Sequence, residues 1–153
     1  MKEKIKVVVA DDVQVIAENM KLIIDKNPNV EKTLVAFNGE EEIKKILEAE
    51  PDIVFTDFQM PNKNGIDVID TILNNKNIKK KPQFILVTAD RDISIVNKAR
   101  EMHFDIEYKP ISENRINEYI NNLTNEDEII EFEENKTNQT KSFLQQIFER
   151  IRN

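Results

Sequence analysis

Cysteine is absent from this sequence, and histidine occurs once, at His103. A disulfide frame, a thiolate metal site, a cysteine nucleophile and a multi-histidine metal centre are therefore all excluded. No apolar run reaches the ~18 residues needed to span a bilayer, so no membrane partner is expected. The opening "MKEKIKVVVADD" meets an acidic pair too soon to be a secretory signal, and a cytoplasmic protein is expected. Basic residues are in deficit, 22 against 29 acidic, and the net charge of −7 repels phosphate backbones. Direct nucleic-acid binding is not expected. What remains is 39% hydrophobic and 33% charged content over 153 residues, the composition of one globular domain with a modest extension.

The apolar runs "IKVVVA", "TLVAF", "DIVFTD", "QFILVTA" and "FDIEY" are short, rich in Val, Ile and Phe, and lack strict polar alternation. Such runs suit strands buried on both faces of a parallel sheet. Segments with helical spacing lie between and after them: Ile16, Met20 and Ile23; Ile43 and Leu47; Ile66, Ile69 and Leu73; Ile95 and Ala99; Ile116, Ile120 and Leu123. Asn38 before "GEEEIKKIL" and Ser112 before "ENRINEYI" read as helix starts. Five strands alternating with five helices make an α/β, doubly wound domain over residues 1–123. Beyond it the polar, acidic residues 124–139 read as a linker. Residues 140–153 read as an extra amphipathic helix, with Phe143, Leu144, Ile147, Phe148 and Ile151 on one face.

In a doubly wound sheet, ligands gather at the carboxyl ends of the strands. Asp11 and Asp12 close the first apolar run, Asp57 the third, Thr88 the fourth and Lys109 the fifth. Three carboxylates at one edge repel each other unless a cation sits among them, and hard oxygen donors without His or Cys select Mg2+. Asp57 stands alone at the end of a central strand and is the best nucleophile. The Lys109 ammonium and the Thr88 hydroxyl suit the oxygens of a phosphoryl group in transfer, and the product is an aspartyl phosphate.

With these motifs in place the sequence resembles the receiver domain of two-component response regulators. "VVVADD" is similar to that family's acidic pair, "DFQMPNKNG" to its phosphoacceptor loop, "VTA" to its Thr/Ser signature and "YKP" to its Lys-Pro. The resemblance covers Lys4 to about Leu123. It implies a flavodoxin-like sheet of strand order 2-1-3-4-5 with five flanking helices. It also implies that Asp57 is the phosphoacceptor, that Asp12, Asp57 and the backbone carbonyl of Gln59 coordinate Mg2+, and that Asp11 acts on the metal through water. Thr88 and Lys109 then contact the phosphoryl oxygens, the Lys109-Pro110 bond is cis, and the donor is a histidine kinase or phosphotransfer protein. The sequence departs from the family pattern at Ile106, where an aromatic residue is usual, with Tyr108 two residues on. His103 reads as a helix-end cap or surface residue.

A signalling domain is thus expected, not an enzyme, although it assists its own phosphorylation and dephosphorylation. An aspartate-nucleophile phosphatase is the competing reading, but Gln59 stands where a second Asp would act as general acid. The segment after residue 123 is short for an output domain. A stand-alone receiver is expected, with the N-terminal part of a longer regulator as the alternative. The apolar stripe of the last helix needs cover, and homodimerisation through it is expected.

Overall fold

A computed structural model describes the backbone of residues 4–152 and the side chains outside 125–136; residues 1–3 and 153 of the expected terminal segments lie outside the described residues. The apolar runs form the strands β1 (Ile5–Ala10), β2 (Val30–Ala36), β3 (Ile53–Asp57), β4 (Gln83–Thr88) and β5 (Asp105–Tyr108). The periodic segments form α1 (Gln14–Asp25), α2 (Gly39–Ala49), α3 (Gly65–Leu73), α4 (Ile93–Met102) and α5 (Glu113–Arg152). All pairings are parallel, and the sheet order is β2-β1-β3-β4-β5, as expected.

Successive strand residues point to opposite faces, and each face has its own core. Val7, Val9, Phe55 and Ile85 pack with Ile24 of α1 and Ile116 and Ile120 of α5. Val8, Val54 and Leu86 pack with Ile46, Ile69, Ile72 and Ile95 of α2, α3 and α4. Both faces of the central strands are covered, which explains why these runs lack polar alternation.

Helix starts follow the side chains expected of them. Asn38 Oδ1 accepts from the Glu41 amide at 2.9 Å, and Ser112 Oγ from the Arg115 amide at 3.1 Å. His103 caps α4 in the left-handed region at φ 60°, as its position suggested. Gly65, opening α3, lies so close to the Asp57 carbonyl that a Cβ there would clash with it.

Two elements differ from the sequence reading. On α2 it is Ile46, 2% exposed, that turns inward with Ile43, while Leu47 is 44% exposed. Helical spacing admits both i+3 and i+4 partners, and the packing against β1, β2 and α3 chooses between them. The second difference is at residues 124–139, where α5 runs on as helix instead of breaking into a linker, so that the expected extra helix is the far part of α5. Polar composition alone does not stop a helix. Residues 113–152 hold neither glycine nor proline, so no stop signal interrupts a helix whose first turns are anchored in the core by Ile116 and Ile120.

Candidate functional site

Parallel register brings the strand ends level. Ala10 pairs with Thr56, Asp57 with Val87, and Thr88 with Tyr108. The polar residues that end β1, β3, β4 and β5 therefore meet at one edge of the sheet. Asp11, Asp12 and Asp57 each offer a carboxylate oxygen, and these oxygens lie within 4.8 Å of one another.

Lys109 reaches back across this edge. Its Nζ donates to Asp11 Oδ2 at 2.8 Å and to Asp57 Oδ2 at 3.0 Å. The Lys109-Pro110 peptide is cis. Burial pushes the Asp57 carboxyl above its ordinary value, and the Asp11 charge adds to this, against the pull of Lys109. For Lys109 burial works downward, but its hydrogen bonds to Asp11 and Asp57 outweigh it and the ammonium is held more firmly than usual.

The three acids differ in their surroundings. Asp11 is 2% exposed and has both oxygens engaged, Oδ1 by the Val13 amide at 2.9 Å and Oδ2 by Lys109. Asp12 is exposed at the rim. Asp57 is buried, and its Oδ1 accepts from the Gln59 amide at 3.4 Å. An all-oxygen donor set beside a lysine fits a hard divalent cation such as Mg2+. Gln59 itself has an exposed side chain, in the loop between Asp57 and Gly65.

Thr88 is buried behind Asp57, and its Oγ1 accepts from the Asp90 amide at 3.0 Å. Asp90 Oδ1 accepts in turn from the Asp92 amide, and Asp92 Oδ1 from the Ser94 amide at the start of α4. The β4–α4 loop is thus a relay of side-chain-to-backbone bonds beginning at Thr88. Ile106 packs among the α3 and α4 side chains, and Tyr108 is half-buried under the Arg91 guanidinium, 4.2 Å from its ring centre.

One buried acid escaped the sequence reading. Glu42 is fully buried on the inner face of α2, where Thr56, the residue before Asp57, is its hydrogen-bonding partner at 3.0 Å. Its only signal in the sequence was its place one residue before Ile43 and four before Ile46, within a run of three glutamates that reads as a solvated first turn.

Comparison with known proteins agrees with this fold. Residues 7–121 match the family model described as the response regulator receiver domain. The chain is 29% identical over 123 residues to the transcriptional regulatory protein BtsR of Escherichia coli (strain K12), which is 80% of this chain and 49% of that protein. It is 34% identical over 70 residues to protein-glutamate methylesterase/protein-glutamine glutaminase 2 of Carboxydothermus hydrogenoformans, 46% of this chain and 20% of that protein. The chain spans about half the length, or less, of these curated relatives. Among solved structures, the receiver domain of the Francisella response regulator 1452 superposes with a TM-score of 0.70 at 27% identity, covering 80% of this chain and 98% of that one. The response regulator domain of Thermotoga maritima CheB gives 0.68 at 28%, covering 80% and 97%.

Proposed function

Because the chain belongs to the response regulator receiver domain family, we propose that Asp57 takes a phosphoryl group from a histidine kinase or phosphotransfer protein in a Mg2+-dependent reaction. The observation that carries this reading is the meeting of three carboxylates within 4.8 Å under one lysine ammonium, at the carboxyl edge of the sheet. An Asp57 oxygen attacks phosphorus, the new P–O bond forms as the donor's P–N bond breaks, and the released imidazole takes up a proton. Asp12, Asp57 and the Gln59 carbonyl would hold Mg2+, with Asp11 acting at one remove because both its oxygens are already engaged. When bound, the cation supplies positive charge for the phosphoryl oxygens.

Lys109 contributes a second positive charge to those oxygens and holds Asp57 in place before transfer. Thr88 supplies a hydroxyl from the end of the neighbouring strand. Taking up that role draws Thr88 away from the Asp90 amide, and the loop that carries Arg91 over Tyr108 then adjusts. The signal is a changed protein-binding surface on α4, β5 and α5. The protein acts in the cytoplasm as a signalling domain; among the described residues no helix is long and apolar enough to cross a membrane. Its acidic net charge favours protein partners over nucleic acid.

The far part of α5 carries a second element of the proposal. Phe143, Leu144, Ile147, Phe148 and Ile151 are all exposed, from 37% at Ile147 to 77% at Ile151. Two copies of such a stripe satisfy each other by two-fold symmetry, and homodimerisation through this helix is the reading it supports.

Incubation with Mg2+ and a small acyl phosphate donor tests the acceptor assignment by intact mass. The wild type gains one phosphoryl group and Asp57→Asn gains none, since an amide is a poor nucleophile. Uptake by Asp57→Asn at wild-type stoichiometry overturns the assignment, and rapid turnover of the donor without a labelled protein favours a phosphatase.

A further inference from the structure

Glu42 has no part in the chemistry above, yet it is the most deeply placed acid among the described residues, at 0% exposure. Its Oε1 has no hydrogen-bond partner. Its Oε2 lies 3.0 Å from Thr56 Oγ1, and that same hydroxyl lies 3.4 Å from the carbonyl oxygen of Asp57. A threonine hydroxyl has a single proton to give. If Glu42 were ionised, Thr56 would spend that proton on the carboxylate and leave the Asp57 carbonyl without it. If Glu42 is a neutral acid, its own O–H donates to Thr56 and the Thr56 proton is free for the Asp57 carbonyl.

From this geometry we infer that Glu42 is a positioning residue: as a neutral acid it holds, through Thr56, the main-chain carbonyl of the acceptor Asp57, and on ionising it releases that hold. The inference rests on the proposed acceptor role of Asp57 for its functional consequence and on Glu42 and Thr56 alone for its structural one.

The surroundings favour the neutral form. Burial raises the Glu42 carboxyl to about 8, opposed only by its Thr56 hydrogen bond. Among the described residues no charged group compensates it from any element packed around it. On α2, Glu41 and Lys45 engage each other. On β2, Glu31 and Lys32 are exposed, and on α3 so are Asp67 and Asp70. On β1, Lys6 lies toward the opposite end of the strand, where its amide bonds Asp52. Asp57 is turned to Lys109, and Lys63 of the following loop is half-buried against Gly39.

The site is also tightly framed. Gly65 abuts the Asp57 carbonyl and Gly39 abuts the Lys63 main chain, so the start of α2 and the start of α3 both press on the segment that carries the acceptor. A carboxyl that titrates here therefore acts through Thr56 on a segment with little room to move.

Three proteins and two experiments test this. In the first, the amide resonance of Phe58, which shares its peptide with the Asp57 carbonyl, is followed from pH 6 to 9.5, with infrared detection of a protonated carboxyl. Wild type should show one titration near 8 in both measurements, and Glu42→Gln, permanently neutral and of the same shape, neither. In the second, phosphoryl uptake from acetyl phosphate is measured across the same range as a ratio to Glu42→Gln, which removes the donor's own pH dependence. The ratio should stay level to pH 7 and fall on the order of tenfold by pH 9, where a group with a pKa near 8 is about nine-tenths ionised. Glu42→Ala, lacking the bond altogether, should be slow at every pH. A constant ratio, or a Phe58 resonance that titrates equally in Glu42→Gln, overturns the inference. If no variant takes up phosphoryl, the acceptor proposal fails, and the Phe58 and infrared titrations still decide whether Glu42 holds this carbonyl.

Discussion

Asp11 and Asp12 are neighbours in sequence with opposite circumstances, one buried with both oxygens engaged and one exposed at the rim. Removing Asp12 should weaken Mg2+ affinity more than removing Asp11, and calorimetric titration of the two alanine variants checks the order; equal loss, or a larger one from Asp11→Ala, refutes it. Glu42 gives a second prediction at this scale. Its folded pKa of about 8 exceeds its ordinary 4.5, so the folded chain keeps a proton that the unfolded chain releases. Stability then falls as pH rises between these two values and is level outside them, a total of roughly 4 to 5 kcal/mol from this group. Urea unfolding of wild type and Glu42→Gln at pH 5 and pH 8.5 should show the gap between them widening with pH in favour of Glu42→Gln. The sequence allowed Asp11, Asp12, Asp57, Thr88 and Lys109 to be picked out because each stands at the end of an apolar run. Glu42 could not be, because nothing in a run of three glutamates says which one turns inward.

At the scale of elements, each helix is held by a start signal and one apolar face. Asn38 supplies the first for α2 by bonding the Glu41 amide, and Asn38→Ala should lower stability by about 1 kcal/mol. Because α2 frames the segment after Asp57, hydrogen exchange should also quicken at the start of α2 in that variant; unchanged exchange there would argue that the cap is redundant. The face of α2 was only half legible. Ile43 and Leu47 satisfy helical spacing as well as Ile43 and Ile46 do, and contact with β1, β2 and α3 decides for Ile46. The bonding of the β4–α4 loop was not legible in the sequence. Only the folded backbone reveals that Thr88, Asp90 and Asp92 pass hydrogen bonds along one loop into α4.

The whole molecule is a sheet with two apolar cores and a helix that runs on past them. Removing the Phe55 ring, 1% exposed in the core shared by α1 and α5, should lower stability by about 3 to 5 kcal/mol, which denaturant unfolding of Phe55→Ala measures. The proposed dimerisation rests on the far part of α5 alone. Deleting residues 140–153 should leave a monomer that still accepts phosphate at Asp57, read by sedimentation and intact mass. If the undeleted protein already sediments as a monomer at micromolar concentration, the stripe does not pair with its own copy. Five large apolar side chains can contribute roughly 1.5 to 3 kcal/mol each when buried, so the expected pairing has a sufficient driving force once two helices meet.

The sequence by itself determined the class of fold and the residues of the edge, because both rest on local rules. Strands buried on both faces must read as unbroken apolar runs, and a parallel sheet must present the residues that follow those runs at one side. Tertiary structure alone decided what required two distant segments to meet. It decided that Lys109 spans Asp11 and Asp57, and which residue of α2 faces the sheet. It decided that an acid of that helix lies against Thr56, beside Asp57. The course of α5 stands between these cases: the absence of glycine and proline permitted a continuous helix, while its polar composition argued for a linker. The early turns of α5, locked into the core by Ile116 and Ile120, provide the nucleus from which each further residue gains a hydrogen bond with no new nucleation cost.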